Sequence, residues 1–468
     1  MSDSADAPHV LVIGADAAGM SAAHQALRRA RDLGRTLRIT ALEATEHTSY
    51  SACGLPYWIG GLVASGDDLV ARFPAEHRES GIDLRTGVRA RRVDLDAREV
   101  TAVDAEGQSQ RFSYDELVIA TGAAPRIPDW ARDEDGVLVP GMLPVKTLDD
   151  GAAWRALLDE WSGEHPPRAA IVGAGYIGVE MAEALADRGC EVALFAAAEV
   201  LPGFETPVRQ RMTATLRAAG ITVHEHARVD GIERGADGAV AAVRCPSGTT
   251  QADLVVLATG VDPRTDLEIV GGDLPRGEAG AFDPDDRQRL GPHVWAAGDC
   301  ATVRHRMLGT RVFIPLGTHA NKQGRVLGDN LAGGSSRSEG ALGTAITRFR
   351  HAGHLLEVAR TGLGTSEAAD AGFRPTALLT EGSVISGYLP DAATAAVWVC
   401  ADARTRRLLG VQIAGGEGSA KRIDTAAAVL WAGGSVDDLA AVDLAYAPPF
   451  ATVWDLVQIA ARRLAERI

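Results

Sequence analysis

Among the five cysteines, Cys53 stands apart by its surroundings, Ser49-Tyr50-Ser51-Ala52-Cys53-Gly54-Leu55-Pro56-Tyr57, shortly after a glycine-punctuated segment that reads as strand, turn and helix. A cysteine works as its thiolate, which attacks sulfur–sulfur bonds and must then be reduced again. A second cysteine able to close a local disulfide would stand a few residues further on, but Trp58 to Gly61 offers none. The redox partner of Cys53 is therefore expected to be a small molecule or oxygen. Cys190, Cys245, Cys300 and Cys400 are scattered, with no C-x-x-C pair and no metal-ligand spacing, so they are expected as small core residues and no metal is expected.

The thiol needs a source of electrons, and the chain offers two dinucleotide sites. His9 to Ile13 reads as a strand, Gly14-Ala15-Asp16-Ala17-Ala18-Gly19 as the turn, Met20 to about Arg31 as a helix, and Leu37 to Leu42 as a second strand ending in Glu43. In such a unit the glycines admit a pyrophosphate, the helix amino end supplies N–H groups, and an acid roughly twenty residues on receives the ribose hydroxyls. Asp16 replaces the middle glycine, so this match alone is weak. The pattern recurs in full as Ala169-Ala170-Ile171-Val172 followed by Gly173-Ala174-Gly175-Tyr176-Ile177-Gly178 and a helix over Val179 to Asp187. Two such sites in one chain imply electron transfer between two cofactors, a flavin and a nicotinamide. The strand Val192 to Phe195 runs into Ala196-Ala197-Ala198, with neither the acid of an NAD site nor the bases of an NADP site, which leaves that preference open.

Further strands repeat the plan. Leu117-Val118-Ile119-Ala120-Thr121-Gly122 and Leu254-Val255-Val256-Leu257-Ala258-Thr259-Gly260 are near-copies, and Val294-Trp295-Ala296-Ala297-Gly298-Asp299 ends in an acid suited to a polyol such as the flavin ribitol. At 468 residues, about three domains are expected. The expected fold is α/β, with two doubly wound dinucleotide-binding domains, the nicotinamide domain inserted in the flavin domain, plus a C-terminal α+β dimerisation domain. Residues 1-144 and 284-338 are expected to form the FAD-binding domain, 145-283 the NAD(P)H-binding domain and 339-468 the dimerisation domain.

Composition bounds the function. Hydrophobic residues at 46% and charged residues at 23% are those of a globular protein, and the net charge of -15 opposes a nucleic-acid interface. No run of about 18 apolar residues is present, so no membrane span is expected. The polar segment Met1 to His9 lacks the regions of a secretory signal, and the protein is expected in the cytoplasm.

The chain resembles the pyridine nucleotide-disulfide oxidoreductases with a single active-site cysteine, and within them the coenzyme A disulfide reductase branch. The resemblance rests on Ser49-x-x-x-Cys53-Gly54-Leu55-Pro56-Tyr57, on Pro315-Leu316-Gly317-Thr318-His319-Ala320-Asn321-Lys322-Gln323-Gly324-Arg325, and above all on Tyr446-Ala447-Pro448-Pro449-Phe450. It implies a homodimer in which Tyr446 and Tyr388 reach Cys53 from the partner subunit. It implies FAD contacts at Gly14, Ala15, Ala18, Gly19, Glu43, Val88, Ala120, Thr121, Gly122, Asp299, Gly317 and Thr318. It implies NAD(P)H contacts at Gly173, Gly175, Tyr176, Ile177, Gly178 and Gly260. Coenzyme A would meet Ser21, Gln25, Arg28, Ser49 and Asn321, the first three sharing one helical face. The chain departs from the family at Ala52, where Asn is common, and at Trp454, where Lys is common; a cation lost from a polyanion site costs on the order of 1 to 3 kcal/mol.

The activity implied is FAD-dependent reduction of a low-molecular-weight disulfide or persulfide, such as coenzyme A disulfide, by NAD(P)H. The alternative is an NADH oxidase or peroxidase that cycles the cysteine through sulfenic acid. Such relatives usually hold a histidine where this chain has Ala17, and they lack the Tyr-Ala-Pro-Pro segment. A redox-sensing protein that binds a partner through its third domain is a more distant option. The segment Phe349-Arg350-His351-Ala352-Gly353-His354 is longer than usual for the family.

Overall fold

The computed structural model describes residues 7–468, so most of the polar amino-terminal segment read above lies outside the described residues. The chain divides into two compact units. Residues up to Gly54, Ser65–Ala124 and Val261–Ala341 form the first; Leu55–Ala64, Pro125–Gly260 and Leu342–Ile468 form the second.

The first unit is built on a six-stranded sheet in the order Arg289–Gly291, Val294–Ala296, Glu116–Ile119, His9–Ile13, Arg38–Leu42, Ile82–Arg85. The central strand His9–Ile13 is buried along its whole length and pairs in parallel with both neighbours. Its alternation explains the continuous apolar run. Val10 and Val12 face a core with Ala22, Ala26 and Leu327, while Leu11 and Ile13 face another with Val93, Val100 and Leu117. Helix Ala17–Asp32 covers the first face, and helix Gly317–Leu331 lies along it. Glycines permit that approach, since a Cβ on Gly324 or Gly328 would strike the carbonyls of Ala18 and Ala22. The opposite core includes the four-stranded sheet Glu268–Val270, Arg89–Asp94, Glu99–Val103, Ser109–Ser113.

In the second unit, a parallel sheet runs Thr222–His224, Glu191–Phe195, Arg168–Val172, Leu254–Leu257, Met142–Pro144. A separate antiparallel sheet runs Ala345–His351, His354–Gly362, Leu408–Gly415, Thr394–Asp402, Pro375–Ser383. Two doubly wound sheets and a carboxy-terminal α+β region are thus the architecture expected from the sequence. Element limits differ in detail. The first helix starts at Ala17 rather than Met20; the last helix runs Leu456–Ala465, where the Asp455 side chain accepts the Val457 N–H at 2.9 Å and caps the amino end. The unusual segment 349–354 closes a two-stranded hairpin, with Ala352 at φ 49° and Gly353 at φ 80° forming the tight turn. Among the described residues no helix is long and apolar enough to cross a membrane.

Candidate active site

Gly14 carries the chain out of its strand at φ 96°, and a Cβ there would run into the Ala120 carbonyl; one on Gly19 would strike the Gly14 carbonyl. Both positions demand glycine. The N-cap residue Asp16 does not cap the following helix through its side chain, and the first turn of that helix holds no acid. Its leading N–H groups therefore remain uncapped at the positive end of the helix dipole. Glu43 projects from the end of the next strand, where Oε2 accepts the Ala15 N–H at 2.9 Å and Oε1 accepts the Thr45 N–H and hydroxyl, each at 2.9 Å. A carboxylate so pinned keeps one lone pair, on Oε2, for a ribose hydroxyl.

Other expected flavin residues border this turn. The Val88 N–H donates to the Glu43 carbonyl at 2.8 Å, and the Ala120 N–H donates to Ile13 at 2.8 Å. Thr121 donates its hydroxyl to the Arg264 carbonyl at 2.6 Å, and Gly122 turns at φ 71°. Gly298, at φ 86°, brings the chain before Asp299 close to Ala18 and donates its N–H to Gln323 at 2.8 Å. Gly317 and Thr318 begin the helix Gly317–Leu331 and are exposed. A glycine-admitted close approach, an uncapped helix end and a pinned ribose acid fit FAD.

The second unit repeats the turn nearly atom for atom. The Gly173 N–H donates to Phe195 at 2.9 Å, as the Gly14 N–H does to Leu42 at 2.9 Å. A Cβ on Gly173, at φ 112°, would strike the Ala258 carbonyl, and one on Gly178 the Gly173 carbonyl. At Gly175 a Cβ would meet open space, so the glycine there serves whatever approaches from outside. Tyr176 opens the helix Tyr176–Asp187, with its ring edge-on to Phe204 and burial pushing its phenol up to about 12. Ile177 follows, half-buried, and Gly260, at φ 102°, accepts the Arg126 N–H. These features fit the nicotinamide dinucleotide.

Further along the same helix, Glu180, Glu183 and Asp187 face the hairpin. Thr347 donates to Glu180 at 2.9 Å, the Arg350 N–H to Glu183 at 2.6 Å, and His351 lies 2.6 Å from Asp187. Burial pushes the Glu180 carboxyl up to about 7 and also raises Glu183. Sequence reasoning passed over these acids, although their i, i+3, i+7 spacing announces a shared face.

Of the five cysteines only Cys53 is exposed; the other four are buried, as core residues should be. Cys53 lies in the one-turn helix Ala52–Gly54, where Gly54 closes on the Ser51 carbonyl. On helix Ala17–Asp32, Ser21 donates its hydroxyl to Asn321 at 2.8 Å, and Arg28 donates to Gln25 at 2.9 Å. Four of the five expected coenzyme A contacts thus lie together along two packed helices. Ser49 belongs to a different network, through His77 at 3.0 Å.

Tyr388 and Tyr446 are exposed on the second unit, at 75% and 48%. Their segments are joined where the Ser386 N–H donates to Pro448 at 3.0 Å. Arg422 organises both, donating to the carbonyls of Val384 and Phe450 at 2.6 Å each and pairing with Asp455 at 3.0 Å. No motif had pointed to Arg422. Trp454 stands where the family often has Lys, yet a cation lies beside it, because the Arg462 guanidinium sits 5.3 Å over its ring.

Comparison with known proteins shows the family and the fold. The family model described as pyridine nucleotide-disulphide oxidoreductase matches residues 8–324, and that family's dimerisation domain matches residues 354–456. The chain is 35% identical over 468 residues to an NAD(P)H coenzyme A polysulfide/persulfide reductase of Pyrococcus horikoshii, covering 97% of this chain and 98% of that protein. It is 31% identical over 459 residues to an NADH oxidase of Methanocaldococcus jannaschii, covering 96% and 97%. Among solved structures, an NAD-dependent persulfide reductase from A. fulgidus superposes with a TM-score of 0.90 at 31% identity, over 98% of this chain and 83% of that one. The chain therefore belongs to the pyridine nucleotide-disulphide oxidoreductases, enzymes that work with FAD and NAD(P)H.

Proposed function

We propose that this protein is an FAD-dependent NAD(P)H:disulfide or persulfide oxidoreductase that reduces a low-molecular-weight thiol compound such as coenzyme A disulfide or persulfide through Cys53. The observation that carries the reading is Cys53 itself, the one exposed cysteine, on a loop of the unit that holds the first glycine cradle. Bound FAD would supply a two-electron relay from NAD(P)H to a disulfide bond. The Cys53 thiolate attacks the outer disulfide, forming a mixed disulfide and expelling one thiolate, which takes a proton; reduction of the mixed disulfide then frees the second thiol and regenerates Cys53. The net change is RSSR + NAD(P)H + H⁺ → 2 RSH + NAD(P)⁺.

Under this reading Gly14, Ala15, Ala18, Gly19, Glu43, Val88, Ala120, Thr121, Gly122, Asp299, Gly317 and Thr318 hold FAD. Gly173, Gly175, Tyr176, Ile177, Gly178 and Gly260 hold the nicotinamide nucleotide. Ser21, Gln25, Arg28, Ser49 and Asn321 hold the substrate. The domain limits given for the sequence, and a cytoplasmic location, belong to the same reading. A homodimer is supported by the dimerisation-domain match and by Tyr388, Tyr446, Phe450, Val453 and Trp454, large side chains left exposed on one stretch of the surface. In that dimer Tyr388 and Tyr446 donate to the departing thiolate at the partner's thiol.

The test is Cys53→Ser: disulfide turnover is expected to vanish while NADH still bleaches the flavin. Full turnover in the variant would end the proposal. The similarity to an NADH oxidase supports a second reading with oxygen as acceptor. Oxygen uptake with NADH that matches or exceeds reduction of coenzyme A disulfide would select it.

A further inference from the structure

Beyond the glycine turns, the two units share a second set of backbone bonds, and one position within it differs in kind. In the first unit the Glu43 N–H donates to Arg85 at 2.8 Å, the Gly87 N–H to Thr45 at 3.0 Å and the Val88 N–H to Glu43 at 2.8 Å. In the second unit the Ala196 N–H donates to His224 at 2.8 Å, the His226 N–H to Ala198 at 2.6 Å and the Ala227 N–H to Ala196 at 2.9 Å. Ala196 thus answers to Glu43, Ala227 to Val88 and His226 to Gly87. Val88 and Ala227 are both buried, and Gly87 and His226 both stand in the left-handed region, at φ 68° and φ 54°.

A left-handed turn takes glycine without strain, yet the second cradle keeps an imidazole there, exposed and with no hydrogen bond from its ring among the described residues. A side chain retained against the preference of its backbone points to a use outside the fold. The first cradle has no such room, since a Cβ on Gly87 would lie 2.7 Å from Glu46 Oε1. Glu199, the counterpart of Glu46, is bound instead to Arg209 at 3.0 Å. Glu225, beside His226, is held by Arg217 at 3.3 Å and by the Thr213 hydroxyl at 3.2 Å. Both arginines come from the helix Thr206–Ala218. Arg228 has its like in Arg89 and marks no difference between the cradles. The edge that carries Glu43 in the first unit therefore holds, in the second, only carboxylates already paired with a cation, and a ring that the first lacks.

An acid at this edge accepts a ribose hydroxyl and repels a phosphate, whereas a ring N–H with no free acid beside it favours the phosphate. We infer that His226 reads the adenosine ribose of the nicotinamide nucleotide, donating an imidazole N–H to a 2′-phosphate, and that this cradle selects NADPH over NADH. The inference deepens the proposed function and rests on its placing the nicotinamide nucleotide at the second glycine turn.

Calorimetry on the FAD-loaded protein tests it with two probes, adenosine 2′,5′-bisphosphate and 5′-AMP. The bisphosphate is expected to bind about tenfold more tightly, and His226→Gly should erase most of that ratio. Glycine is the residue at the matching turn of the first cradle, so this variant keeps the backbone, and His226→Lys, which restores a donor, should restore the ratio. Bleaching of the flavin gives a second readout, in which the rate with NADPH over that with NADH should fall about tenfold in His226→Gly. Equal binding of the two probes to the wild type overturns the inference. So does an equal loss of both probes in His226→Gly, the result expected if the ring accepted a ribose hydroxyl instead. The probe ratio stands whether or not coenzyme A disulfide is turned over; a failed turnover with the ratio intact would fall on the proposed substrate and leave this inference supported.

Discussion

Beyond the strand Arg38–Leu42 stands Glu43, and at the same register beyond Glu191–Phe195 stands Ala196, although Ile13 pairs with Leu42 just as Val172 pairs with Phe195. The two cradles share their glycine clashes and their hydrogen bonds to within about 0.1 Å. They part at the residue after the second strand and at the middle of the turn, where one has Glu43 and Asp16 and the other Ala196 and an open Gly175. A cofactor that stays bound through many turnovers is served by a pinned carboxylate, whereas one that leaves each cycle is served by an accessible turn with fewer committed contacts. Under the proposed assignment of the two sites, duplicated backbone geometry supports opposite residence times through a few side chains.

The comparison can be broken most severely at the glycines. Gly173→Ala forces a Cβ into the Ala258 carbonyl and should cost about 3 kcal/mol or more of stability. Gly175→Ala meets nothing and should keep the wild-type Tm and flavin content, while the KM for the nicotinamide rises about tenfold. Equal thermal losses for the two variants would show that the turn is not shaped as described.

Next in size, Glu43→Gln should weaken FAD retention by about ten- to a hundredfold in equilibrium dialysis, since a hydrogen bond to a charged group is worth about 1.5–3 kcal/mol. Retention unchanged would remove the ribose acid from the account. The converse experiment makes the cradles more alike: Ala196→Glu should move the ratio of kcat/KM for NADH over NADPH about tenfold toward NADH, by accepting the ribose hydroxyls and repelling a 2′-phosphate.

The smallest effect concerns Glu180, on the helix of the second cradle. Its carboxyl is raised from 4.5 to about 7, so the native state holds a proton that the unfolded chain has released, and stability from this group is lost as pH rises through that window. His77, lowered from 6.5 to about 4, acts with the opposite sign, its contribution being lost as pH falls toward about 4. The readout is therefore a difference. Relative to wild type, Glu180→Gln should gain a few degrees of Tm at pH 8 over its standing at pH 5, by calorimetry.

Much was legible before any coordinates. Local spacing reveals what is built locally: the apolar strands, both glycine turns, Glu43 and the thiol segment all declare themselves because a backbone that turns within a few residues admits few residue types. Cys53 was separable from four core cysteines by its neighbours alone. The G-x-x-x-G of Gly324 and Gly328 was also there to be seen, though its meaning needed the helix it packs against.

What the tertiary structure decided lies between residues distant in the chain. Ser21 and Asn321 meet because two helices touch through glycine, and Arg422 gathers Val384, Phe450 and Asp455. The chain from Arg72 through His24 and His77 to Ser49 draws on three separate stretches, none with a motif of its own. Burial and hydrogen-bond partners depend on which atoms surround a group in space, and linear order carries no record of that until the chain has folded.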